Sequence, residues 1–219
     1  MYFRIGTRAS LLALVQVDEI INLFKKQNLK LNFEINKINT LGDMDKTTPI
    51  SEIEGTDFFT REIEKALLEN KIDMAVHSAK DLPKKLPKGL EIALFTKSID
   101  PYDCLISKEN LKLNELKLEA KIGTSSQRRK DQLRVYRKDF NVVDIRGNVE
   151  ERLRLLEHSD LDAIVIAGAG LMRLGQDYMI TQRIPLEILK PHPLQGSLAI
   201  EIRENNLELK SILKNINIK

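Results

Sequence analysis

The chain has 219 residues, and 42% of them are hydrophobic, which is enough for a substantial core in one large or two small domains. Lys and Arg number 35 against 32 Asp and Glu, and this small excess, with 5% aromatic residues, excludes a strongly basic nucleic-acid binder. Cys104 is the single cysteine and the three histidines are scattered, which excludes a disulfide and predicts no metal site. No apolar run has the length of a membrane span or the form of a signal peptide, so we expect a cytoplasmic protein.

The chain begins with a predicted strand at Phe3–Ile5, followed by a loop and an amphipathic helix that starts after Ser10. The first backbone N–H groups of a helix have no partner within it, and Arg8 adds a guanidinium beside them. This combination suits a carboxylate or a phosphate. The alternative is that Ser10 only caps the helix and Arg8 is a surface arginine, and this segment alone leaves both interpretations open.

A second strand is predicted where Leu31, Phe33 and Ile35 alternate with polar residues. Residues 39–57 then form a polar stretch without periodicity. Loops of this length in compact domains are typically lids or disordered segments. Phe59 begins the next apolar helical face, and we assign it to the lid.

A short apolar run at residues 72–76 predicts a buried strand that ends in a polar loop carrying Lys80 and Asp81. Pro83 and Pro87 prevent a helix from continuing through this loop. Ligands of open α/β sheets bind at the carboxyl ends of strands, so Asp81 is a candidate carboxylate facing a cleft beside the cation of Lys80. A solvated Lys–Asp pair on a surface loop is the alternative.

Strands and helices alternate along most of the chain, which predicts an α/β architecture with mostly parallel sheets. A polar segment at 96–103 marks a domain boundary, and the alternation restarts beyond it. The strand predicted at 198–202 is expected to return to the first sheet, so that two crossing segments form a hinge. The predicted parts are domain 1 at residues 1–98, domain 2 at residues 99–193, and a return strand with a C-terminal helix at residues 194–219 that completes domain 1.

Polar residues follow two strands of the second domain where each strand meets a helix. The segment Gly123–Arg129 opens one of these helices. Arg146 lies just before the other, which starts with a capping-box pattern at Asn148 and Glu151. Helix starts after strands are geometries that bind anions. Each charge-assisted contact between an arginine and a carboxylate contributes roughly 1.5–3 kcal/mol, so a few suffice to hold a polycarboxylate, although scattered solvated arginines are the alternative.

Five segments together resemble the successive motifs of hydroxymethylbilane synthase, also called porphobilinogen deaminase. Their order and spacing agree over nearly the whole chain, whereas any one of them alone would be a weak signal. The segments are Arg4–Ser10, Ala75–Pro83, Ile122–Arg129, Ile145–Val149 and Gly170–Gly175.

The resemblance implies two α/β domains like those of type II periplasmic binding proteins, joined by a two-segment hinge, with the active site in the cleft between them. It also implies the reaction. Porphobilinogen loses ammonia to give an azafulvene, which the free α-carbon of a growing pyrrole chain attacks, until water releases a linear tetrapyrrole. Asp81 would be the catalytic aspartate, which accepts hydrogen bonds from pyrrole N–H groups and stabilises the cationic azafulvene.

The resemblance further implies residues that hold the acetate and propionate groups of the substrate and of a dipyrromethane cofactor, positioning one ring against the next. No residue is assigned to a metal. The carboxylate-binding residues implied in this way are Arg8, Ser10, Lys80, Thr124, Ser125, Ser126, Arg128, Arg129, Arg146, Gly147, Asn148, Arg152, Arg173 and Gln195.

Three features depart from the family pattern. Family members continue into a third domain whose cysteine tethers the dipyrromethane primer. We expect that domain to be absent here. We also expect the primer to be held non-covalently or presented by a separate chain, because Cys104 lies in a predicted strand and is interpreted as a small buried hydrophobe. The lid segment Glu52–Asp57 is acidic where lysines and glycines are usual, which should weaken closure over a polycarboxylate. Leu194 stands where a glycine is usual before Gln195.

Three interpretations follow from the sequence. The favoured one is a minimal hydroxymethylbilane synthase of porphyrin and heme biosynthesis, acting on a pyrrole polycarboxylate. The second is a binding module that grips porphobilinogen, a bilane or another small polycarboxylate without turnover. The third is a non-functional or truncated relative. Neither a nucleic acid nor a membrane is an expected partner.

Overall fold

The structure is a computed structural model that describes residues 1–45, 48 and 56–217. The described residues form two compact units. The first contains residues 1–45, 56–98 and 197–217, and the second contains residues 48 and 99–196.

The chain returns to the first unit between Gly196 and Ser197, later than the predicted boundary after residue 193. Two hydrogen bonds explain the difference. The side-chain amide of Gln195 donates to the carbonyl of Pro101 at 2.7 Å, and the carbonyl of Gly196 accepts from the backbone N–H of Ile99 at 3.4 Å. Gln195 and Gly196 therefore stay with the second unit.

The regular elements follow the predicted alternation along the described part of the chain. In order, the strands are β1 (Tyr2–Arg8), β2 (Asn32–Ile38), β3 (Met74–Ser78), β4 (Leu90–Phe95), β5 (Asp103–Ser107), β6 (Lys121–Gly123), β7 (Asn141–Val143), β8 (Ala163–Ala167), β9 (Gln182–Arg183) and β10 (Leu198–Arg203). The helices are α1 (Leu11–Lys26), α2 (Leu41–Met44), α3 (Arg61–Leu68), α4 (Gln127–Tyr136), α5 (Val149–His158), α6 (Gly168–Arg173) and α7 (Leu207–Lys214), with single 3-10 turns at Ala79–Asp81 and Asp177–Met179.

Each unit is built on one five-stranded mixed sheet. The first sheet has the order β2-β1-β3-β10-β4, in which β1 is parallel to β2 and β3, and β10 is antiparallel to both of its neighbours. The return strand predicted near residue 198 is thus confirmed as an interior strand of the first sheet. The second sheet has the order β7-β6-β8-β5-β9, with β6 parallel to β7 and β8, and β5 antiparallel to β8 and β9.

Helices cover both faces of the first sheet. On one face, Val17 and Phe24 of α1 are fully buried and pack in one cluster with Met74 of β3. On the other face, Ile63 of α3 packs in a cluster with Ala75. Burying one side chain of this size contributes roughly 1.5–3 kcal/mol, so this packing fixes where β3 ends and its polar loop begins.

Cys104 is fully buried in the second unit, in a cluster with Ile164 of β8. Burial raises the pKa of its thiol to about 12, so the thiolate that covalent attachment needs is not formed at neutral pH. The prediction that Cys104 is a small buried hydrophobe is confirmed.

Two local features depend on side-chain hydrogen bonds. β7 ends at Val143, and two residues later the carbonyl of Ile145 accepts a hydrogen bond from the hydroxyl of Ser125. The polar stretch after residue 38 contains the short helix α2, which begins at a capping box formed by Thr40 and Asp43. Most of the acidic lid segment, residues 52–55, lies outside the described residues.

No helix in the described ranges is both long enough and apolar enough to cross a membrane.

Candidate functional site

A recess of about 70 Å³ lies in the first unit, where the carboxyl end of β3 meets the amino end of α1. The structure places Arg8, Ser10, Phe59 and Asp81 around it. Ser10 also caps α1, because its hydroxyl accepts from the backbone N–H of Ala13 at 3.3 Å. The two alternatives considered for Ser10 are therefore compatible, since one residue both caps the helix and borders the recess.

Asp81 ends the 3-10 turn that follows β3, and it is partly buried. Within residues 1–45, 48 and 56–217, its carboxylate has no hydrogen bond or ion pair. Lys80 precedes it in the same turn but is not among the residues that line the recess. Asp81 is thus a carboxylate that borders a cavity and is available to a ligand.

Arg8 is held by a carboxylate that the sequence reasoning did not single out. Its Nε donates to both Asp43 oxygens at 3.1 and 3.3 Å, and its Nη2 donates to Asp43 Oδ1 in a further short contact. Its guanidinium carbon lies 4.7 Å from the centre of the Phe59 ring, a cation–π distance. Both side chains of the ion pair are mostly buried, with 29% of Arg8 and 22% of Asp43 exposed.

The wall of the recess continues into the buried face of the first sheet. His77 Nε2 lies 2.9 Å from Glu201 Oε2, and both side chains are buried. The amide of Gln16 donates to the hydroxyl of Ser78 at 2.9 Å, which ties α1 to the end of β3. These two contacts fix the strand end from which Asp81 follows.

In the second unit, Arg128 and Arg129 both contact Asp103, a fully buried carboxylate at the start of β5. Arg128 Nη2 donates to Oδ2 at 2.8 Å and Arg129 Nε donates to Oδ1 at 2.8 Å. Gln195 Nε2 donates to Oδ1 at 2.9 Å. Burial raises the pKa of Asp103, but the charges of Arg129 and Arg128 outweigh it, so its pKa lies below the ordinary value.

The two arginines differ in what they leave to a ligand. Arg129 is 4% exposed, and its remaining nitrogens donate to the carbonyl of Val165 at 3.2 Å and to Gln195 Oε1 at 3.4 Å. Its contacts are therefore those of a structural residue, although the sequence assigned it to carboxylate binding. Arg128 remains 23% exposed.

The turn before α4 contains the predicted hydroxyl residues. Thr124 and Ser125 are buried, and their hydroxyls donate to the carbonyls of Val165 at 3.1 Å and of Ile145. Ser126 is the N-cap of α4, and in the described part of the chain its side chain makes no cap hydrogen bond. Of the three hydroxyls, only that of Ser126 is left to a ligand at the helix start.

The second predicted anion site lies at the start of α5. Gly147 has φ +103, and a Cβ there would lie 2.6 Å from a Glu151 oxygen, so only glycine fits. Asn148 and Glu151 form the predicted capping box. Arg152 Nε donates to the Gly147 carbonyl at 2.8 Å, and Arg146 lies in the turn directly before Gly147. Four predicted residues thus meet at one helix start.

Arg173 ends α6. In the described part of the chain it does not share the contact that Arg128 and Arg129 make with Asp103. Its Nη2 donates to the carbonyl of Gly196 at 2.9 Å, next to the point where the chain returns to the first unit. Among residues 1–45, 48 and 56–217, no group of three or more His, Cys, Asp or Glu side chains is arranged to hold a metal ion.

Sequence reasoning missed two acids that pair with predicted arginines. Asp43 pairs with Arg8, and Asp103 pairs with Arg128 and Arg129. Asp43 carried a detectable signal, because Thr40 and Asp43 have the spacing of a capping box. Asp103 carried none, since it pairs with arginines far along the chain and no local pattern reports such a pair.

The fold is that of type II periplasmic binding proteins, as predicted from the resemblance. Over 99% of its length the chain is similar to the Bordetella pertussis BvgS VFT2 domain, with a TM-score of 0.55, 15% identity and 88% of that chain covered. It is likewise similar to the probable amino-acid ABC transporter extracellular-binding protein ytmK of Bacillus subtilis, with a TM-score of 0.54, 13% identity, and 99% and 90% of the two chains covered. At these identities the likeness defines the fold alone.

The family is defined by sequence. Residues 3–211 match the family model described as porphobilinogen deaminase, dipyromethane cofactor binding domain. The porphobilinogen deaminase of Natranaerobius thermophilus is 45% identical over 214 residues, which cover 97% of this chain and 69% of that protein. That of Clostridioides difficile is 42% identical over 213 residues, covering 97% and 71%. The chain belongs to the porphobilinogen deaminase family, whose members are transferases of tetrapyrrole synthesis, and the predicted resemblance is confirmed.

Proposed function

We propose that this chain catalyses the stepwise deaminating condensation of porphobilinogen into a linear tetrapyrrole, the hydroxymethylbilane synthase reaction. The observation that carries the proposal is the recess of the first unit. Asp81 presents there a carboxylate without a partner among the described residues, beside an arginine and a helix N-terminus. An acidic group and anion-binding groups around one small cavity match a substrate with a pyrrole N–H and carboxylate side chains.

Asp81 acts on the ring nitrogen. Porphobilinogen gains positive charge as ammonia leaves, and a fixed carboxylate near its pyrrole N–H stabilises that charge. Because the recess is partly enclosed, the interaction is stronger there than in water. Asp81 also accepts the pyrrole N–H hydrogen bond, which orients the ring.

Arg8 and Ser10 bind a carboxylate of the ring held by Asp81. Within the described ranges, Arg8 Nη1 makes no hydrogen bond, so it is available as a charge-assisted donor. The start of α1 adds a favourable dipole for an anion. These residues orient the substrate, which lowers the entropic cost of the condensation.

The second unit contributes further carboxylate-binding groups. The Ser126 hydroxyl and the exposed part of Arg128 lie at the start of α4, and Arg146, Asn148 and Arg152 lie at the start of α5. Helix starts with adjacent arginines bind acetate and propionate groups. We assign Lys80 a supporting role in the first unit, Gly147, Arg173 and Gln195 supporting roles in the second unit, and Arg129 a structural one.

The dipyrromethane group implied by the family fits these residues, because its carboxylates and ring N–H groups need the same donors and acceptor as the substrate. When bound, it supplies the free pyrrole α-carbon that attacks the activated ring. We propose that residues 1–219 hold it non-covalently, since Cys104 is fully buried and its thiol has a raised pKa. A second chain carrying a tethering cysteine is the alternative source of the primer.

The test follows ammonia release and uroporphyrin formation from porphobilinogen, with an intact mass taken under denaturing conditions. The wild-type chain is expected to release ammonia and to carry no adduct on Cys104. Asp81→Ala is expected to lower the rate by at least about a hundredfold because it removes the carboxylate that stabilises developing charge. Asp160→Ala, an exposed acid of the second unit, serves as the matched control and should retain the wild-type rate.

Binding of porphobilinogen without ammonia release would instead support a non-catalytic binding module. The burial of Arg129 favours that alternative, because it removes one predicted carboxylate-binding residue. A pyrrole adduct on Cys104 would contradict the non-covalent proposal. An Asp81→Ala variant that is as active as the wild type would contradict the role of Asp81.

A further inference from the structure

We propose that Asp43 is a positioning residue that aims Arg8 at the substrate carboxylate. The inference deepens the proposed function and rests on it. Asp43 is not among the residues that line the recess in the described part of the chain, whereas Arg8 is. The carboxylate therefore contacts Arg8 without itself bordering the recess.

The pattern of hydrogen bonds determines which edge of the guanidinium stays available. A guanidinium has two edges that each donate a pair of hydrogen bonds, one formed by Nε with one terminal nitrogen and one formed by the two terminal nitrogens. Asp43 contacts Nε and Nη2, which is the first edge. The second edge, with Nη1, is left to a ligand carboxylate, so the two acids bind different edges and do not compete.

Asp43 is itself fixed by Thr40. Its Oδ2 accepts from the Thr40 hydroxyl at 2.8 Å and from the Thr40 backbone N–H at 3.2 Å. Burial raises the pKa of Asp43, but hydrogen bonds from Arg8 and Thr40 outweigh it, so the pKa lies below the ordinary value and the group is ionised at neutral pH. Asp43 thus holds Arg8 from a rigid base.

Phe59 is the third residue that holds the Arg8 guanidinium in place. Its ring lies under the Arg8 guanidinium, and a Cβ at Gly42 would lie 2.1 Å from two ring carbons. Only glycine leaves this space, so the ring position depends on Gly42. Asp43 fixes the guanidinium within its plane, and Phe59 supports one of its faces.

A second group of the same chemistry provides the matched control. Arg137 pairs with Asp139 at 2.6 Å and lies 4.3 Å from the centre of the Phe140 ring. Its terminal nitrogens donate to the carbonyls of Leu116 at 2.9 Å and Lys117 at 3.3 Å. Arg137 therefore has no edge left for a ligand, and its trio is purely structural.

The experiment is a double-mutant cycle on Arg8→Gln and Asp43→Asn, with KM for porphobilinogen and kcat measured for each variant. Asp43→Asn is expected to raise KM about tenfold while kcat stays within about twofold, because binding orientation is lost and Asp81 is untouched. The double variant should be no worse than Arg8→Gln alone, since Asp43 acts only through Arg8. Asp139→Asn should leave both constants unchanged.

A charge effect predicts the opposite sign. Removing an acid near the recess makes it more positive, which would lower KM for a carboxylate substrate. A lower or unchanged KM in Asp43→Asn, or a double variant much worse than Arg8→Gln, would overturn the inference. Thr40→Val, which removes only the hydroxyl that anchors Asp43, gives a second reading should Asp43→Asn fold poorly, and it should raise KM in the same direction by a smaller factor.

The failure of this inference is distinguishable from the failure of the proposed function. If the wild-type chain neither binds nor converts porphobilinogen, the proposed function fails and this inference fails with it. If the wild type turns over and Asp43→Asn matches it, only the inference fails.

Discussion

Each unit contains an ion pair between an aspartate and an arginine, and the two pairs differ in how deeply they are buried. In the second unit, Asp103 and Arg129 are almost completely buried, with side-chain exposures of 0% and 5%. In the first unit, Asp43 and Arg8 are 22% and 29% exposed and border a recess. Burial of the Arg129 donors makes the Asp103 pair part of the fold, whereas the second edge of Arg8 is the basis of the binding role that we propose for the Asp43 pair. An arginine alone does not indicate a ligand site. The distinguishing feature is the number of its N–H donors that make no hydrogen bond within the described part of the protein.

The largest expected effect is a loss of stability when the buried Asp103–Arg129 pair is broken. Asp103→Ala leaves Arg129 buried without its carboxylate, which should lower the free energy of unfolding of the second unit by about 3–5 kcal/mol. Urea denaturation followed by circular dichroism measures it. Asp160→Ala removes an exposed acid that pairs with Lys121, and it should leave the transition in place. Equal transitions for both variants would show that burial does not set the strength of the pair.

Replacing each arginine with lysine tests the comparison further, and the expected effects are of intermediate magnitude. Arg129→Lys loses the fork that reaches Asp103, Val165 and Gln195, so it should lower the free energy of unfolding by about 1–3 kcal/mol. Arg8→Lys should shift the unfolding free energy by less than about 1 kcal/mol but raise KM for porphobilinogen. Denaturation and steady-state kinetics on both variants test this crossed pattern, and a stability loss at Arg8 as large as at Arg129 would contradict it.

The smallest expected effect concerns Glu64, a buried acid that makes no ion pair with an arginine among the described residues. Glu64 is 2% exposed, and burial raises its pKa, with the nearby charge of Glu201 adding to the shift. A raised pKa in the folded state gives stability that is present below the ordinary value and is lost as the pH rises through the raised value. Glu64→Gln stays neutral and should lose less stability than the wild type between pH 5 and pH 8.

Thermal melting across that pH range measures the difference. Glu208→Gln, an exposed acid at the start of α7, is the control and should follow the wild type at every pH. A wild type that loses no stability relative to Glu64→Gln as the pH rises would show that Glu64 is not held neutral by the fold.

The fold was predictable from the chain because its signals are local. The apolar period of α1, the buried run of β3 and the glycine–serine turn before α4 each lie within a few residues, and the structure has all three. The partners of the arginines were not predictable in this way. Arg129 of α4 pairs with Asp103 of β5, and their pairing depends on how distant segments pack. The recess likewise forms only when α1 and β3 meet, so the sequence predicted Asp81 and Arg8 separately and missed Asp43, the partner of Arg8.

The interior position of β10 has a consequence for how the chain is made. β3 and β4 are neighbours of β10 and are not bonded to each other in the first sheet, so that sheet has a gap until residues 198–203 are available. During synthesis on the ribosome, all of the second unit emerges before that gap is filled. The second unit can therefore fold first, and the segment that carries Asp81 acquires its final neighbour only after residues 198–203 have emerged.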